Sequence, residues 1–92
     1  MKTLIKPNWN NRTLTEVVEQ DGKKFKLTCA LRNGGGGNYI SMLGNEGWAR
    51  IFDAQELSKN VNTASYVSNV EERLEHANIQ NAIFKKALKE MF

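Results

Sequence analysis

The sequence has little of the chemistry on which most small enzymes and secreted domains depend. Among 92 residues there is one cysteine, Cys29, and one histidine, His76. An intrachain disulfide is therefore impossible, whereas a small secreted domain would usually need several. A zinc site, which takes three or four Cys, His or carboxylate ligands, is excluded in practice. We expect no metal and no other cofactor, and the single cysteine agrees with a reducing compartment.

Long apolar runs are also missing. No stretch approaches the roughly 18 to 20 residues needed to cross a bilayer. Residues 1–13 lack the apolar core of a secretory signal. We therefore expect a cytoplasmic protein that does not engage a membrane.

What is present is the composition of one globular domain, spanning residues 1–92. The chain is 40% apolar and 25% charged, which is enough for one modest core. Its net charge of +3 is unevenly distributed, because residues 1–50 carry eight Lys or Arg against four acids, whereas residues 51–92 carry five against six. The first half is therefore the basic half.

The clearest local pattern runs over residues 24–32, where apolar and more polar side chains alternate. The apolar set is Phe25, Leu27, Cys29 and Leu31. A period of two predicts a strand with one buried face. The dipeptide Asp21-Gly22 tolerates the positive φ angles of a tight turn, and it follows the β-branched stretch 13–18, so the pattern predicts a hairpin.

Two further strands are predicted over residues 39–43 and 48–52, separated by a turn at 44–47. The first half therefore reads as an antiparallel meander of three to four strands. The segment from Asn33 to Asn38 contains four consecutive glycines, and we expect a mobile loop there. The alternative, a phosphate cradle, lacks the Lys and the Ser or Thr of a P-loop.

The second half predicts two helices, which completes an α+β fold. Asp53 and Glu56 have the spacing of a capping box, which predicts a short helix through about Lys59. A longer C-terminal helix is predicted from about Ala64 or Asn69, packed on one face of the sheet. Whether it breaks near residues 76–78 or projects towards a partner stays open. Its apolar stripe, with Asn81 as a polar interruption, consists of Val67, Val70, Leu74, Ala77, Asn81, Phe84, Leu88 and Met91.

No catalytic constellation stands out. Cys29 and His76 could form a nucleophile and its base. Cys29, however, shares its strand face with three apolar residues, which favours a small buried side chain. His76 has charged and polar neighbours at four-residue distance, which favours a solvated helix position. We therefore expect a protein that is not an enzyme.

The most informative feature is the other face of the strand over residues 24–32, which presents Lys24, Lys26, Thr28 and Arg32. If the fourth strand directs Trp48, Arg50 and Phe52 the same way, the sheet offers cations beside aromatic rings, as in proteins that bind single-stranded nucleic acid. Such a face could equally engage an acidic partner or a protein groove that holds nucleic acid. The alternative is that Trp48 and Phe52 face the helix and the cations are merely solvated.

Trp9 and Tyr39 lie near loops, where they could anchor an interface or close the ends of the core. The candidate binding residues are Lys24, Lys26, Arg32, Tyr39, Trp48 and Arg50.

The chain as a whole resembles the compact proteins encoded by phages, including anti-CRISPR inhibitors. The resemblance is carried by its small size, its Asn-rich turns, the loop from Asn33 to Asn38 and a sheet followed by helices. It implies a block of an RNA-guided complex in the host cell cytoplasm, and it assigns no residue a role. Because this chain is basic whereas many such inhibitors are acidic mimics of DNA, contact with guide RNA or an acidic subunit surface suits its charge better.

We therefore expect a small binding protein that engages a protein or nucleoprotein complex through a basic sheet face and loops. The alternative is direct binding of RNA or single-stranded DNA.

Overall fold

In the part of the chain that the structure describes, five antiparallel strands pair in the order in which they occur in the chain, and one long helix follows them. The computed structural model describes residues 1–10, 12–31, 37–57 and 69–92. The elements within these ranges are β1 (Lys2–Trp9), β2 (Thr13–Gln20), β3 (Lys23–Ala30), β4 (Tyr39–Gly44), β5 (Gly47–Asp53) and α1 (Val70–Met91). The predicted α+β class is confirmed, but the sheet has five strands where three to four were predicted.

The predicted strands correspond to β2 to β5, and all four are present; β3 was predicted from hydrophobic alternation, and the other three from the β-branched stretch and the turn signals. The turn between β2 and β3 has the predicted geometry, because Asp21 has φ 56° and Gly22 has φ 78°. Positive φ at both central residues matches the right-handed twist of the flanking strands. This turn fixes the register in which Gln20 pairs with Lys23 and Val18 pairs with Phe25.

The strand that the sequence did not predict is β1, which lies at the edge of the sheet and pairs with β2 alone. Pro7 has no N–H to donate, and the register against β2 shifts on both sides of Ile5. These irregularities remove the period-two pattern. An edge strand tolerates them because only one of its two sides must be hydrogen-bonded within the sheet.

The predicted short helix is wrong for the residues that the structure describes. Residues 54–57 form a turn. The capping box itself is present, since Oδ1 of Asp53 accepts from the backbone N–H of Glu56 at 2.7 Å and Oε2 of Glu56 accepts from that of Asp53 at 3.0 Å. The box therefore closes a single turn after β5, and residues 58 and 59 lie outside the described ranges.

The long helix begins after Asn69, the second of the two predicted starts. Oδ1 of Asn69 accepts hydrogen bonds from the backbone N–H groups of Glu71 and Glu72, at 2.7 and 3.4 Å. The earlier alternative, Ala64, lies outside the described residues. From Val70 the helix continues for 22 residues without a break near residues 76–78. At 1.5 Å per residue this is about 33 Å, close to the 38 Å long dimension of the molecule.

The predicted stripe of α1 is confirmed in its middle, where Ala77, Asn81, Phe84 and Leu88 are buried and Leu74 packs against the core. It is wrong at the described ends, because Val70 and Met91 are exposed. α1 packs on β2 and β3 in the centre of the sheet. At the C-terminal end of α1, the ring of Phe92 packs against Phe25 on β3, with 5.0 Å between the ring centroids. Val67 lies outside the described residues.

The core lies between α1 and the face of β3 that the alternation predicted to be buried. Phe25, Leu27 and Cys29 are inaccessible to solvent, as are Phe84 and Leu88 on the helix. Full burial of one large apolar side chain contributes about 1.5 to 3 kcal/mol. The helix is therefore held to the sheet mainly by these contacts.

A buried carboxylate lies among these apolar residues. Glu16 on β2 pairs with Leu27 across the sheet, so its side chain points towards α1, and it is 1% exposed. Its oxygens accept hydrogen bonds from Asn81 Nδ2 and from Thr3 Oγ1, and Lys85 Nζ lies 2.8 Å away. We call Thr3, Glu16, Asn81 and Lys85 the Glu16 cluster. It joins β1, β2 and α1 and fixes the position of the helix along the sheet.

Candidate binding surface

The sheet face turned away from α1, here called the open face, carries most of the candidate binding residues. Lys26 pairs with Ser41, and Ser41 pairs with Arg50. One row of side chains therefore crosses three strands. Since side chains two residues apart on a strand share a face, Lys24, Tyr39 and Trp48 also belong to the open face.

Lys26 reaches across β4 to Trp48. Its ammonium nitrogen lies 4.7 Å from the centroid of the indole ring, within the range of a cation–π contact. Trp48 is 39% exposed, so the pair remains accessible to a partner. The interpretation in which Trp48 faces the helix is therefore wrong.

Arg50 and Tyr39 form a second pair of the same kind. Cζ of Arg50 lies 3.7 Å from the centroid of the Tyr39 ring. Arg50 is exposed, whereas Tyr39 is half-buried beneath it. The two pairs together form a patch in which each aromatic ring has a cation over one face.

Phe52 does not join this patch. The register of β5 shifts between the partners of Ile40 and Ser41, and Phe52 pairs with Ile40, a core residue. The bulge places Phe52 on the helix side, as one of the two interpretations expected. Alternation alone could not reveal it, because one extra residue in a strand reverses the order of its faces.

The cations of the open face are partly balanced. Lys24 pairs across strands with Glu19, although no ion pair within 4 Å joins these two described side chains. Register places four cations and two carboxylates on this face, namely Lys2, Lys24, Lys26, Arg50, Glu19 and Asp53. The surface is therefore basic but moderately so. Arg32, also a candidate, lies outside the described residues.

Two polar residues of the open face contribute little surface of their own. Thr28 and Ser41 are buried although α1 lies on the opposite side of the sheet. Ser41 stands between Lys26 and Arg50, whose long side chains extend over it to reach the two rings. The aliphatic parts of Lys and Arg cover sheet surface in this way while their charges stay in water.

The sheet divides at one end into two separate hairpins. β3 and β4 pair no further than Phe25 with Met42. Beyond that point β3 continues to pair with β2 as far as Lys23, and β4 with β5 as far as Gly44. An open pocket of about 340 Å³ lies in the gap. We call it the fork pocket, and its lining consists of Gly22, Lys23, Lys24, Met42 and Leu43.

Sequence reasoning did not single out Leu43 or Met42. Leu43 pairs with Trp48 and lies two residues from Ser41, so its side of the fork pocket belongs to the open face. Met42 and Lys23 line the pocket from the helix side, where Lys23 Nζ lies 5.8 Å from the centroid of the Phe92 ring. The period of two in β4 was a usable signal for this placement. The gap between the hairpins had no signal, because it depends on where the ladder between β3 and β4 stops.

Trp9 does not close an end of the core. It pairs with Leu14 at the end of β1 and is more than half exposed. Its position on the edge strand separates it from Trp48, at the opposite edge of the sheet.

Cys29 lies in the core between β3 and α1 and is inaccessible to solvent. Burial, with the nearby charge of Glu16 as a smaller cause, raises the pKa of its thiol from 9.0 to about 12. At neutral pH the thiol therefore stays protonated, and a protonated thiol is a poor nucleophile.

His76 is less solvated than its neighbours in sequence suggested. It is half-buried on α1, and its Nδ1 is buried without a hydrogen-bond partner among the residues described. Over the same ranges, no group of three or more His, Cys, Asp or Glu side chains is placed to hold a metal ion.

No family model matches the chain, and neither the curated proteins nor the solved structures contain a match to it. In the described part of the chain, no helix combines the length and apolar character required to span a membrane.

Proposed function

We propose that this chain is a non-enzymatic binding protein that engages a protein or nucleoprotein complex through the open face. One observation supports this most directly: the cations of Lys26 and Arg50 lie beside Trp48 and Tyr39 on a single, accessible sheet surface. Tyr, Trp and Arg are the residues that most often dominate binding energy at interfaces. A basic surface of this kind steers an acidic partner and sets its orientation.

The environment of the lone cysteine supports a binding role over catalysis. A nucleophilic cysteine needs a lowered pKa and access to substrate, whereas the pKa of Cys29 is raised to about 12 and its side chain is buried.

As to biological role, we propose an inhibitor encoded by a phage that blocks an RNA-guided defence complex in the host cytoplasm. The support is the general character of the chain, which is small, single-domain and basic, with a net charge of +3. The positive charge of the chain suits contact with the guide RNA backbone or with an acidic subunit surface of such a complex.

Direct binding of single-stranded nucleic acid is the second candidate. The observation in its favour is the patch itself, because cations can follow phosphates while aromatic rings stack on bases. Binding of this kind weakens steeply with added salt, since each phosphate contact releases counterions.

Affinity capture from cells of the natural host, with and without nuclease, tests the proposal. The variant Lys26→Glu with Arg50→Glu reverses two charges on the open face. The matched control, Lys86→Glu with Lys89→Glu, reverses two charges at exposed positions of α1. We expect the first variant to lower capture about tenfold or more, which corresponds to about 1.4 kcal/mol, and the control to leave capture unchanged.

Each outcome has a defined meaning once circular dichroism has shown that both variants are folded. Capture that survives nuclease indicates a protein surface as the partner, and capture lost on nuclease treatment indicates nucleic acid. Equal capture by the open-face variant and the natural chain contradicts the proposal.

A further inference from the structure

The fork pocket is the strongest feature that the proposed function leaves unused. Two independent observations define it: the ladder between β3 and β4 stops at Phe25 and Met42, and the space beyond is a pocket of about 340 Å³. That volume is at the small end of the range for ligand sites, and it is enough for one large side chain.

The chemistry of the lining is apolar at the base and cationic at the rim. Met42 packs against the core and forms the base, while Leu43, 41% exposed, forms one wall. Lys23 and Lys24 form the other wall, and Gly22 leaves the entrance free of any side chain. Such a site accepts an apolar group whose neighbours carry negative charge.

The pocket and the patch together favour a peptide over a nucleic acid. The described lining of the pocket contains no aromatic ring on which a base could stack. On the adjoining patch, Trp48 and Tyr39 already have a cation over one ring face. A base that stacked on that face would first have to displace Lys26 or Arg50.

The charges around the fork pocket are too nearly balanced for electrostatic attraction alone to select a ligand. Glu19 pairs with Lys24, and Asp21 lies in the turn beside Lys23. Rim charges mainly set the association rate and the choice of partner, whereas side chains buried in pockets supply most of the affinity. An apolar anchor is therefore the required part of the ligand.

We infer that the fork pocket is an anchor site for an acidic peptide segment of the partner protein. One aliphatic side chain of the segment enters between Lys24 and Leu43, and flanking carboxylates contact Lys24 and Lys26. The inference rests on the proposed function, because it names the kind of partner that the same face recognises.

Titration of the full ¹⁵N-labelled chain with capped peptides tests the inference. The probes are Asp-Asp-Leu-Asp-Asp, the same peptide with Ala in place of Leu, Lys-Lys-Leu-Lys-Lys and an oligothymidylate. The readout is the shift of the backbone amides of Gly22, Lys24 and Leu43. We expect the acidic leucine peptide to bind about fivefold or more tightly than the alanine peptide, a difference near 1 kcal/mol, and the basic peptide to leave these amides unshifted.

Two variants assign the effect to the pocket. Leu43→Ala should remove the preference for leucine over alanine. Leu4→Ala, at a similarly exposed leucine on the edge strand, should keep it.

The remaining outcomes overturn the inference. If both acidic peptides bind equally while capture is still lost in the Lys26→Glu and Arg50→Glu variant, the pocket assignment is wrong and the proposed function stands. If no peptide shifts these amides and the oligothymidylate shifts those of Trp48 and Tyr39, the partner is nucleic acid. If no probe shifts any of them, the pocket is not a binding site.

Discussion

Charged side chains occur on both faces of the sheet, but in different surroundings. On the face covered by α1, the carboxylate of Glu16 is 1% exposed, and Asn81, Thr3 and Lys85 all contact it. On the open face, Lys26 and Arg50 lie over aromatic rings beside solvent. A buried charge is costly unless it is paired, whereas an exposed charge contributes little to stability. We therefore assign the covered charges to the architecture and propose that the open ones serve binding.

The largest expected effect comes from removing the cation of the Glu16 cluster. Lys85→Met leaves the Glu16 carboxylate buried without its counter-ion, and we expect a loss of about 3 kcal/mol in the free energy of unfolding. Glu16→Gln should cost less, about 1 to 2 kcal/mol, because an amide oxygen can still accept from Asn81 and because Lys85, 32% exposed, can turn to solvent. Urea unfolding measures both.

A double-mutant cycle sharpens this result. If the cluster acts as a unit, Glu16→Gln combined with Lys85→Met should cost less than the sum of the two single changes. If the two effects are additive, or if Lys85→Met lowers the free energy of unfolding by less than about 0.5 kcal/mol, Glu16 contributes no more to stability than an exposed charge does.

The next effect concerns Cys29, which lies on the covered face with a pKa of about 12 against 9.0 for an unperturbed thiol. Above about pH 9 the unfolded chain loses this proton while the folded chain keeps it, so stability falls as the pH rises. The slope approaches about 1.4 kcal/mol per pH unit above about pH 10, and the loss between pH 9 and pH 10.5 is about 1.6 kcal/mol. Below about pH 8 the thiol is protonated in both states and contributes almost no slope.

Comparison with Cys29→Ala isolates this contribution from the titration of lysines and tyrosines. Urea unfolding under reducing conditions at about pH 8 and about pH 10.5 should show a smaller loss of stability in the variant than in the natural chain. Equal losses would mean that the thiol is accessible in the folded state.

The smallest effect on stability is expected on the open face. A cation–π contact at an exposed site contributes about 0.5 to 1 kcal/mol, so Lys26→Ala and Arg50→Ala should each cost no more than about 1 kcal/mol. In the background Trp9→Phe, the emission of Trp48 should change in Lys26→Ala and stay unchanged in Lys86→Ala. A loss above about 2 kcal/mol in either open-face variant would show that these cations are structural.

The sequence predicted the parts of the fold that depend on short patterns. Alternation along residues 24–31 placed Phe25, Leu27 and Cys29 in the core, and Asp21-Gly22 predicted the turn that sets the register of β2 and β3. Asn69 was one of two predicted helix starts, and its side-chain cap decides between them. In each case the residues that form the sequence pattern are within a few positions of the structural feature that they predict.

The parts that were not predicted depend on contacts between distant residues. The burial of Glu16 on β2 is compensated by residues 65 and 69 positions away on α1. The bulge in β5 moved Phe52 off the face assigned to Trp48 and Arg50. β1 was missed because an edge strand can form on the hydrogen bonds of one neighbour, even with Pro7 in its sequence.

The candidate site was predicted in part, since Lys24, Lys26, Tyr39, Trp48 and Arg50 share one face. What the pattern could not supply was the pairing of each cation with a ring two residues out of register on another strand. The fork pocket likewise depends on the end of the ladder between β3 and β4, which local propensity does not encode.

The agreement between strand order and chain order has a consequence for how the molecule assembles. Each strand pairs with its immediate neighbour in the chain, so the sheet can grow by successive local closures, each of low entropic cost. Docking of α1 on β2 and β3 is the one described step that joins residues more than 60 positions apart. The slow, long-range part of folding is thus concentrated in the arrival of the helix.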